Sequence, residues 1–272
     1  MTFAERPPRF AGRLYPAEEA LVTARLDELL GPERREEPAT AVVVPHASWR
    51  LCGPVLGAVF SRVRVPGTVI LLGPNHGRVG AAAAIQTRGQ WRLPGYRVAI
   101  DAAVAEDLRR VALLTDDPHA LDAEHALEVV LPFLVARNPR VRIVPVLLTD
   151  ADSAARSPRC TRIGSALADV VASHGRDILV VASSDLAQQL PAETLRRTDD
   201  ALSERIEALD CAGLLETNER LGAQMCGAVP TAVGLVAARA LGAERGERVA
   251  YATSEPCGDP AHLVGYGGFV LR

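Results

Sequence analysis

Two histidines stand just beyond short apolar runs, and their placement is the strongest indication of chemistry in this chain. One run covers residues 41–44 and leads through Pro45 to His46, and the other covers residues 68–72 and leads to His76. Such unalternating runs are typical of strands buried on both faces of a parallel sheet. Ligands of open α/β sheets bind beyond the carboxyl ends of these strands. Because apolar residues at helical spacing separate the runs, we expect one βαβ unit, convergent imidazoles and a metal site.

Cys226 is the candidate for a third metal ligand. Imidazole and thiolate together suit Fe(II), Zn(II) and copper, and three protein ligands with one open position are typical of a catalytic metal. Cys226 precedes a helix that we expect Pro230 to open, and a helix N-terminus lowers the pKa of a thiol. The alternative is that His46 and His76 cap strands by bonding the backbone, while Cys226 only packs in the core.

A second candidate motif contains His125 and Glu128. These residues are three positions apart in a helix predicted over Glu124 to Ala136, so they would share one helix face. His125 could then act as a general base or hydrogen-bond a substrate. The alternative is a surface helix whose acidic first turn is favoured by the helix dipole.

A third motif, Ser183-Ser184-Asp185, follows another apolar run at 178–182. The Gly-x-Ser-x-Gly elbow of α/β hydrolases is missing, which disfavours a serine hydrolase. We therefore expect Asp185 to fix the tautomer of an imidazole beside the metal.

The order of elements predicts the fold class. Apolar strands are expected at 41–44, 68–72, 140–149 and 178–182, with amphipathic helices between them. This alternation indicates a three-layer α/β fold with a mostly parallel central sheet flanked by helices, in a single domain over residues 1–272.

Composition excludes several classes of function. All 30 basic residues are arginine, so a lysine Schiff base, a Walker A loop and a protein kinase site cannot be built. The net charge of −3 argues against a nucleic-acid partner. The five cysteines show no Cys-x-x-Cys spacing. No run approaches the roughly 18 apolar residues of a membrane span, and the first residues lack the apolar core of a signal peptide. We expect a cytoplasmic protein.

Six short motifs resemble, in the same order, those of one protein family. They are Ala11-Gly12-Arg13-Leu14-Tyr15-Pro16, Pro45-His46-Ala47, Gly73-Pro74-Asn75-His76, Glu124-His125-Ala126-Leu127-Glu128, Ser183-Ser184-Asp185 and Cys226-Gly227. The chain resembles the Memo family, the protein B component of the AmmeMemoRadiSam system, which is similar in fold to class III extradiol ring-cleavage dioxygenases. Each motif alone is weak, but six in register form a specific pattern.

The resemblance implies a metal at His46, His76 and Cys226, with Fe(II) favoured and copper or zinc as alternatives. It implies a non-haem iron (or copper) oxygenase-like or redox enzyme acting on a small molecule. One alternative is a non-catalytic metal-binding partner of AMMECR-type and radical SAM proteins. Another is a metal-free cysteine hydrolase that uses Cys226 and a histidine. Neither nucleic acid nor membrane is an expected partner.

Further roles follow from the same resemblance. His125 and Asp185 are expected to be catalytic, and the residues expected to bind substrate are Trp49, Glu128 and Gln188. The family pattern has a histidine where this chain has Gln188. Because a glutamine cannot accept and return a proton near neutral pH, we expect extradiol cleavage of catechols to be absent or very slow.

Overall fold

The computed structural model describes residues 5–32, 34–112, 114–149, 153–255, 257 and 259–272. The helices within these residues are α1 Glu19–Leu30, α2 Trp49–Phe60, α3 Ala102–Val111, α4 Pro118–Asp122, α5 Leu131–Arg137, α6 Ser153–Ser173, α7 Ala192–Glu207, α8 Cys211–Arg220 and α9 Ala228–Ala240. The strands are β1 Glu5–Arg6, β2 Ala41–Val44, β3 Thr68–Pro74, β4 Ala83–Ile85, β5 Gln90–Leu93, β6 Tyr96–Ala99, β7 Thr115–Asp116, β8 Arg142–Leu148, β9 Ile178–Ser183, β10 Gln188–Leu190, β11 Gly246–Thr253 and β12 Leu263–Leu271.

A large mixed sheet forms the centre of the described chain, with strand order β10-β12-β2-β9-β3-β8-β4-β7 and β11 paired with β12. Its central strands β2, β9, β3 and β8 are parallel, while β12 and β4 flank them antiparallel. The parallel strands carry almost continuous apolar sequence and are buried along nearly their whole length, as strands covered on both faces must be. The predicted α/β class is confirmed, with the parallel pairing concentrated at the centre of the sheet.

Helices cover both faces of this sheet. Gly268 of β12 faces Val55 and Val59 of α2, whereas Ala182 of β9 faces Gly234 of α9. The strand register places Ala182 and Gly268 on opposite faces, since neighbouring positions along a strand alternate. Helix α6 packs closely against α9 outside the sheet. The predicted three layers are therefore present. Among the described helices, none is both long enough and apolar enough to cross a membrane.

The prediction of a helix over Glu124 to Ala136 is wrong for the first half of that range. Residues 124–125 are irregular, residues 126–130 form turns, and α5 begins only at Leu131. Pro132 lies in the first turn of α5, where its missing N–H costs no hydrogen bond. His125 and Glu128 consequently share no helix face. Pro230 is likewise the third residue of α9, which begins at Ala228.

Glu128 anchors the N-terminal arm to the domain. Its buried carboxylate accepts hydrogen bonds from Arg6 Nη1 at 2.5 Å and from the backbone N–H of Arg9 at 3.1 Å. The other oxygen accepts from the Phe10 N–H at 2.8 Å and from the Tyr15 hydroxyl at 2.9 Å. Arg6 and Glu128 are both almost fully removed from solvent. A buried charge is tolerated only when it is paired and hydrogen-bonded, so this network depends on both partners.

We predict that Glu128→Gln lowers the free energy of unfolding by about 3–5 kcal/mol, because it leaves the Arg6 guanidinium buried without a counter-charge. Urea denaturation followed by circular dichroism measures this change. The matched control is Glu193→Gln, which removes the fully exposed ion pair with Arg197 and should cost less than about 1 kcal/mol. Equal effects of the two substitutions would contradict the assignment.

Candidate metal centre

The ends of three adjacent parallel strands bring the candidate ligands together. His46 lies two residues beyond β2, and His76 lies two residues beyond β3. Strand β9 lies between them, with Ser183 paired to Val44 of β2 and Ala182 paired to Leu72 of β3. The two imidazole rings consequently meet in front of β9, with ring centroids 5.1 Å apart. The predicted convergence is present in the structure.

The tautomer of His46 is set by Ser183. Ser183 Oγ lies 2.9 Å from His46 Nδ1 and 2.7 Å from the carbonyl oxygen of Ala126. A carbonyl oxygen only accepts, so the single hydroxyl proton of Ser183 is donated to Ala126. Ser183 Oγ must then accept a hydrogen bond from His46 Nδ1–H. His46 therefore keeps its lone pair on Nε2, which is the nitrogen a metal would need.

Glu124 sets the tautomer of His76 in a similar way. Its Oε1 lies 2.9 Å from His76 Nδ1, and its Oε2 accepts the His76 backbone N–H at 2.8 Å. Burial favours the neutral acid, but hydrogen bonds from His125 and His76 outweigh burial and hold the pKa of Glu124 well below its usual range. The ionised carboxylate can only accept, so His76 Nδ1 carries the proton. Nε2 of His76 takes no part in these hydrogen bonds.

Cys226 completes the candidate ligand set from the far side. Its Sγ lies 3.2 Å from His46 Nε2, and Gly227 follows it against the end of β9. A Cβ at Gly227 would lie 2.4 Å from the Ser183 carbonyl oxygen, so only glycine lets this segment approach so closely. With the lone pair of His46 on Nε2, the Cys226 thiol donates to it.

The expectation that a helix N-terminus would lower the pKa of Cys226 is wrong for the metal-free protein. Burial raises the pKa of the Cys226 thiol far above its usual range, and the negative charge of Asp185 adds to the effect. Burial also lowers the pKa of His46, and electrostatic repulsion from the neighbouring His76 and His125 lowers it further. Both members of the His46–Cys226 contact are therefore neutral, because the desolvation of Cys226 outweighs the dipole of α9.

The donor atoms of His46, His76 and Cys226 all lie within 4.8 Å of one another. Donors around a tetrahedral ion at bond lengths of about 2.0–2.3 Å are separated by roughly 3.3–3.8 Å, so small side-chain shifts would suffice. Two imidazoles and a thiol are also a chemically suitable donor set for iron, copper or zinc. The residues therefore fit a transition metal. A second group of nearby donors, His76, Glu124 and His125, is accounted for by the hydrogen bonds of Glu124.

His125 stands beside this ligand set. Its ring is stacked on that of His76, with centroids 4.7 Å apart and planes inclined by 22°. His125 Nδ1 lies 3.2 Å from Glu124 Oε1, the oxygen that also binds His76. Because the rings are nearly parallel and both turn Nδ1 toward Glu124, their Nε2 edges face the same side. One carboxylate thus orients a candidate ligand and a candidate catalytic group together.

Asp185 lies close to the ligands but does not orient an imidazole ring as we expected. Its Oδ1 accepts the backbone N–H of His46 at 2.9 Å. Burial raises the pKa of Asp185 to about 6, although the His46 N–H lowers it in part. Asp185 therefore holds the main chain at His46, while Ser183 orients the ring of His46 and Glu124 orients the ring of His76. Sequence reasoning overlooked Glu124 as a site residue, although it directly precedes His125 in the same motif.

The three residues expected to bind substrate lie in different surroundings. Trp49 is buried against Phe133, and its indole N–H donates to the carbonyl oxygen of Val129. Glu128 is fully buried and binds the N-terminal arm. Gln188 begins β10 and is partly exposed, and its backbone N–H donates to the carbonyl oxygen of Ala223, three residues before Cys226. The structure brings His125 and Asp185 to the ligand set and places Trp49 and Glu128 in the interior.

A cleft of about 280 Å³ opens beside the candidate ligands. His76 and Cys226 form part of its wall, together with the loop that follows β3 and the first turn of α9. A small molecule in this cleft would contact two of the three donor residues. The three candidate ligands therefore have an accessible side, which a catalytic metal site would need.

Sequence comparison identifies the family. The family model described as Memo-like protein matches residues 6–270. The chain belongs to the Memo family. It is 38% identical to a MEMO1 family protein of Methanopyrus kandleri, over 98% of this chain and 99% of that protein. It is 32% identical to a MEMO1 family protein of Aquifex aeolicus, with 98% of each chain covered. The resemblance found in the sequence motifs is confirmed.

Structural comparison supports the fold of this Memo family member. The crystal structure of an uncharacterized protein from Escherichia coli K12 superimposes with a TM-score of 0.53 at 12% sequence identity. The match covers 84% of this chain and 98% of the other. At this identity the similarity concerns the α/β architecture alone, because fold does not determine chemistry.

We predict that His46 of the metal-free protein is a neutral Nδ1–H tautomer near neutral pH, and that His76 carries a proton on Nδ1. Ring ¹⁵N chemical shifts from long-range ¹H–¹⁵N NMR spectra report the protonated nitrogen directly. Ser183→Ala removes the acceptor of His46 Nδ1–H and should release its tautomer, while His76 stays fixed because Glu124 remains. A wild-type His46 protonated on Nε2 would contradict the hydrogen-bond assignment.

Proposed function

We propose that this Memo family protein holds one divalent transition metal at His46, His76 and Cys226 and uses it in oxygenase-like or other redox chemistry on a small molecule. Fe(II) is the favoured metal, with copper and zinc as alternatives. Two imidazoles and one thiolate are ligands that iron, copper and zinc all bind. When bound, a redox-active metal would supply an electron-transfer centre with a coordination position open to substrate.

One observation carries the proposal. Ser183 and Glu124 hold the two imidazoles through Nδ1, which leaves Nε2 of both rings for a metal, and the Sγ of Cys226 lies 3.2 Å from Nε2 of His46. Metal-binding histidines characteristically donate their other ring N–H to a carboxylate, a carbonyl group or a similar acceptor. Histidines that merely capped strands would not need a common direction for their free nitrogens.

The remaining polar residues suit catalysis at such a centre. His125 turns its Nε2 edge to the same side as that of His76, so it can exchange a proton at Nε2 with a substrate atom. Glu124 keeps both rings in place and, being ionised, stabilises positive charge on either. Asp185 fixes the backbone at His46. The cleft beside His76 and Cys226 gives a substrate access.

The metal-free cysteine hydrolase is disfavoured by the same electrostatics. A nucleophilic cysteine acts as the thiolate, which usually requires a cationic neighbour. Burial raises the pKa of Cys226 and lowers that of His46, so the pair remains neutral thiol and neutral imidazole. Displacement of the thiol proton by a metal is the change that would give Cys226 its thiolate form.

Metal analysis of ligand variants tests the proposal. We expect His46→Ala, His76→Ala and Cys226→Ala each to reduce the metal content of anaerobically purified protein to less than about a tenth, since loss of one ligand typically costs far more than the 10–100-fold effect of removing an outer hydrogen-bond partner. Plasma mass spectrometry measures the content and identifies the metal. Circular dichroism checks that each variant is folded.

Matched controls for this test lie elsewhere in the chain. His262→Ala removes an exposed imidazole, and Cys211→Ala removes a half-buried thiol. Both should retain the metal content of the wild type. Full metal content in all three ligand variants, or an equal loss in the controls, would overturn the assignment.

We also predict that metal binding tightens as pH rises. The raised pKa of Cys226 means that the free protein carries a thiol proton throughout the neutral range, and each bound metal must release it. The apparent dissociation constant should fall about tenfold per pH unit between about pH 7.5 and 9. Titration of Zn(II) against a chromogenic chelator, with calorimetry in two buffers to count protons, measures this slope. An affinity independent of pH would show that Cys226 stays protonated.

A further inference from the structure

The cleft beside the candidate metal centre has an unusual distribution of charge. None of the described residues that line it is an aspartate or glutamate. Among the described residues that line the cleft, Arg78 carries a permanent charge; it is exposed and lies two residues beyond His76. Arg78 forms no ion pair with any residue in the described parts of the chain. In contrast, most arginines of this protein are paired with a carboxylate, including Arg64 and Arg176 at the opposite end of the sheet.

The loop that carries Arg78 is shaped by Asn75. The Asn75 side-chain amide donates to the carbonyl oxygen of Val79 at 2.7 Å, and the Arg78 N–H donates to the Asn75 carbonyl oxygen at 3.2 Å. Arg78 itself has a φ of 49°, in the left-handed region that non-glycine residues seldom occupy. The turn thus fixes where the Arg78 side chain leaves the backbone, at the rim of the cleft and next to His76.

The rest of the cleft combines neutral donors with an apolar wall. Asn218 accepts the backbone N–H of Met225 through Oδ1, which leaves its amide NH₂ group free to donate. The apolar part of the wall includes Leu148, Met225 and Val229. Ligand sites usually combine apolar surface with a few polar groups that fix the orientation of the ligand, and in this cleft the polar part of the wall is at least as large as the apolar part.

We propose that the cleft binds a small molecule with an apolar body and one oxyanionic group, a carboxylate or a phosphate, and that this group pairs with Arg78. A planar guanidinium matches both oxyanions through two parallel hydrogen bonds. The apolar body lies against Leu148, Met225 and Val229. What the bound molecule does beside His76 and Cys226 rests on the metal site proposed above, whereas the binding itself does not.

The size of the cleft limits the ligand to a small molecule. Its volume of about 280 Å³ equals that of roughly nine waters at about 30 Å³ each. That volume is at the lower end of ligand pockets. One aromatic ring bearing a single anionic substituent is therefore a suitable probe.

The test uses benzoate and phenyl phosphate as anionic probes and benzamide as the uncharged control. Each is titrated calorimetrically into metal-free and Zn(II)-loaded wild type, Arg78→Gln and Arg140→Gln. Arg140 is an exposed arginine just before β8, at the opposite end of the sheet, so it controls for the loss of one positive charge. Thermal melts and zinc content verify that each variant is folded and loaded like the wild type.

We expect at least one anion to bind wild type at least tenfold more tightly than benzamide. Arg78→Gln should weaken the binding of that anion by about ten- to a hundredfold, which is the effect of losing a charge-assisted bidentate contact. Arg140→Gln should leave it unchanged. The tighter of the two anions identifies the oxyanion as carboxylate or phosphate.

Three results would overturn the proposal: neither anion binds, benzamide binds as tightly as the anions, or both arginine variants lose affinity equally. Failure of the metal site is separate. If wild type takes up no metal, the proposed function fails, while the titrations of metal-free protein still decide whether Arg78 binds the anion.

Discussion

The candidate centre depends on the position of β9 between β2 and β3. In a parallel sheet with this register, the three strands end at nearly the same level, so residues that follow them must share one small volume. His46 and His76 come from the outer two strands and Ser183 from the middle one. The hydroxyl of Ser183 then reaches His46 Nδ1 as a consequence of pairing. A shift of one strand by a single residue would turn these side chains to the opposite face.

Two buried carboxylates, four residues apart, explain why the segment between them is not helical. Glu124 binds His76 and stands beside His125 at the strand ends, while Glu128 binds Arg6 and the arm that carries Phe10. A buried carboxylate without partners is very costly, so each must meet its own set of donors. The irregular residues 124–125 and the turns at 126–130 meet both demands. The same segment thus couples the anchoring of the N-terminus to the orientation of the candidate ligands.

Burial gives the centre its electrostatic character. It keeps Cys226 a thiol and His46 a neutral imidazole, and it raises the pKa of Asp185 to about 6. A cation bound here would favour the thiolate form of Cys226 over the thiol, because the charge of the ion dominates the protonation of nearby groups. The neighbouring cleft adds Arg78 and no carboxylate among its described residues. The buried candidate ligands, which are kept neutral, thus lie beside a cleft whose described wall carries a positive charge and no negative one.

The α/β class, the four parallel strands and the meeting of His46 with His76 could be predicted from the amino-acid sequence, because continuous apolar runs and the handedness of strand crossovers are local and general constraints. Its motifs also indicated the family. Three features could not be predicted without the folded structure: which partner orients each imidazole, that Glu124 rather than Glu128 lies at the candidate site, and that Cys226 is a neutral thiol. Each of these depends on contacts between distant segments and on how completely a group is removed from water.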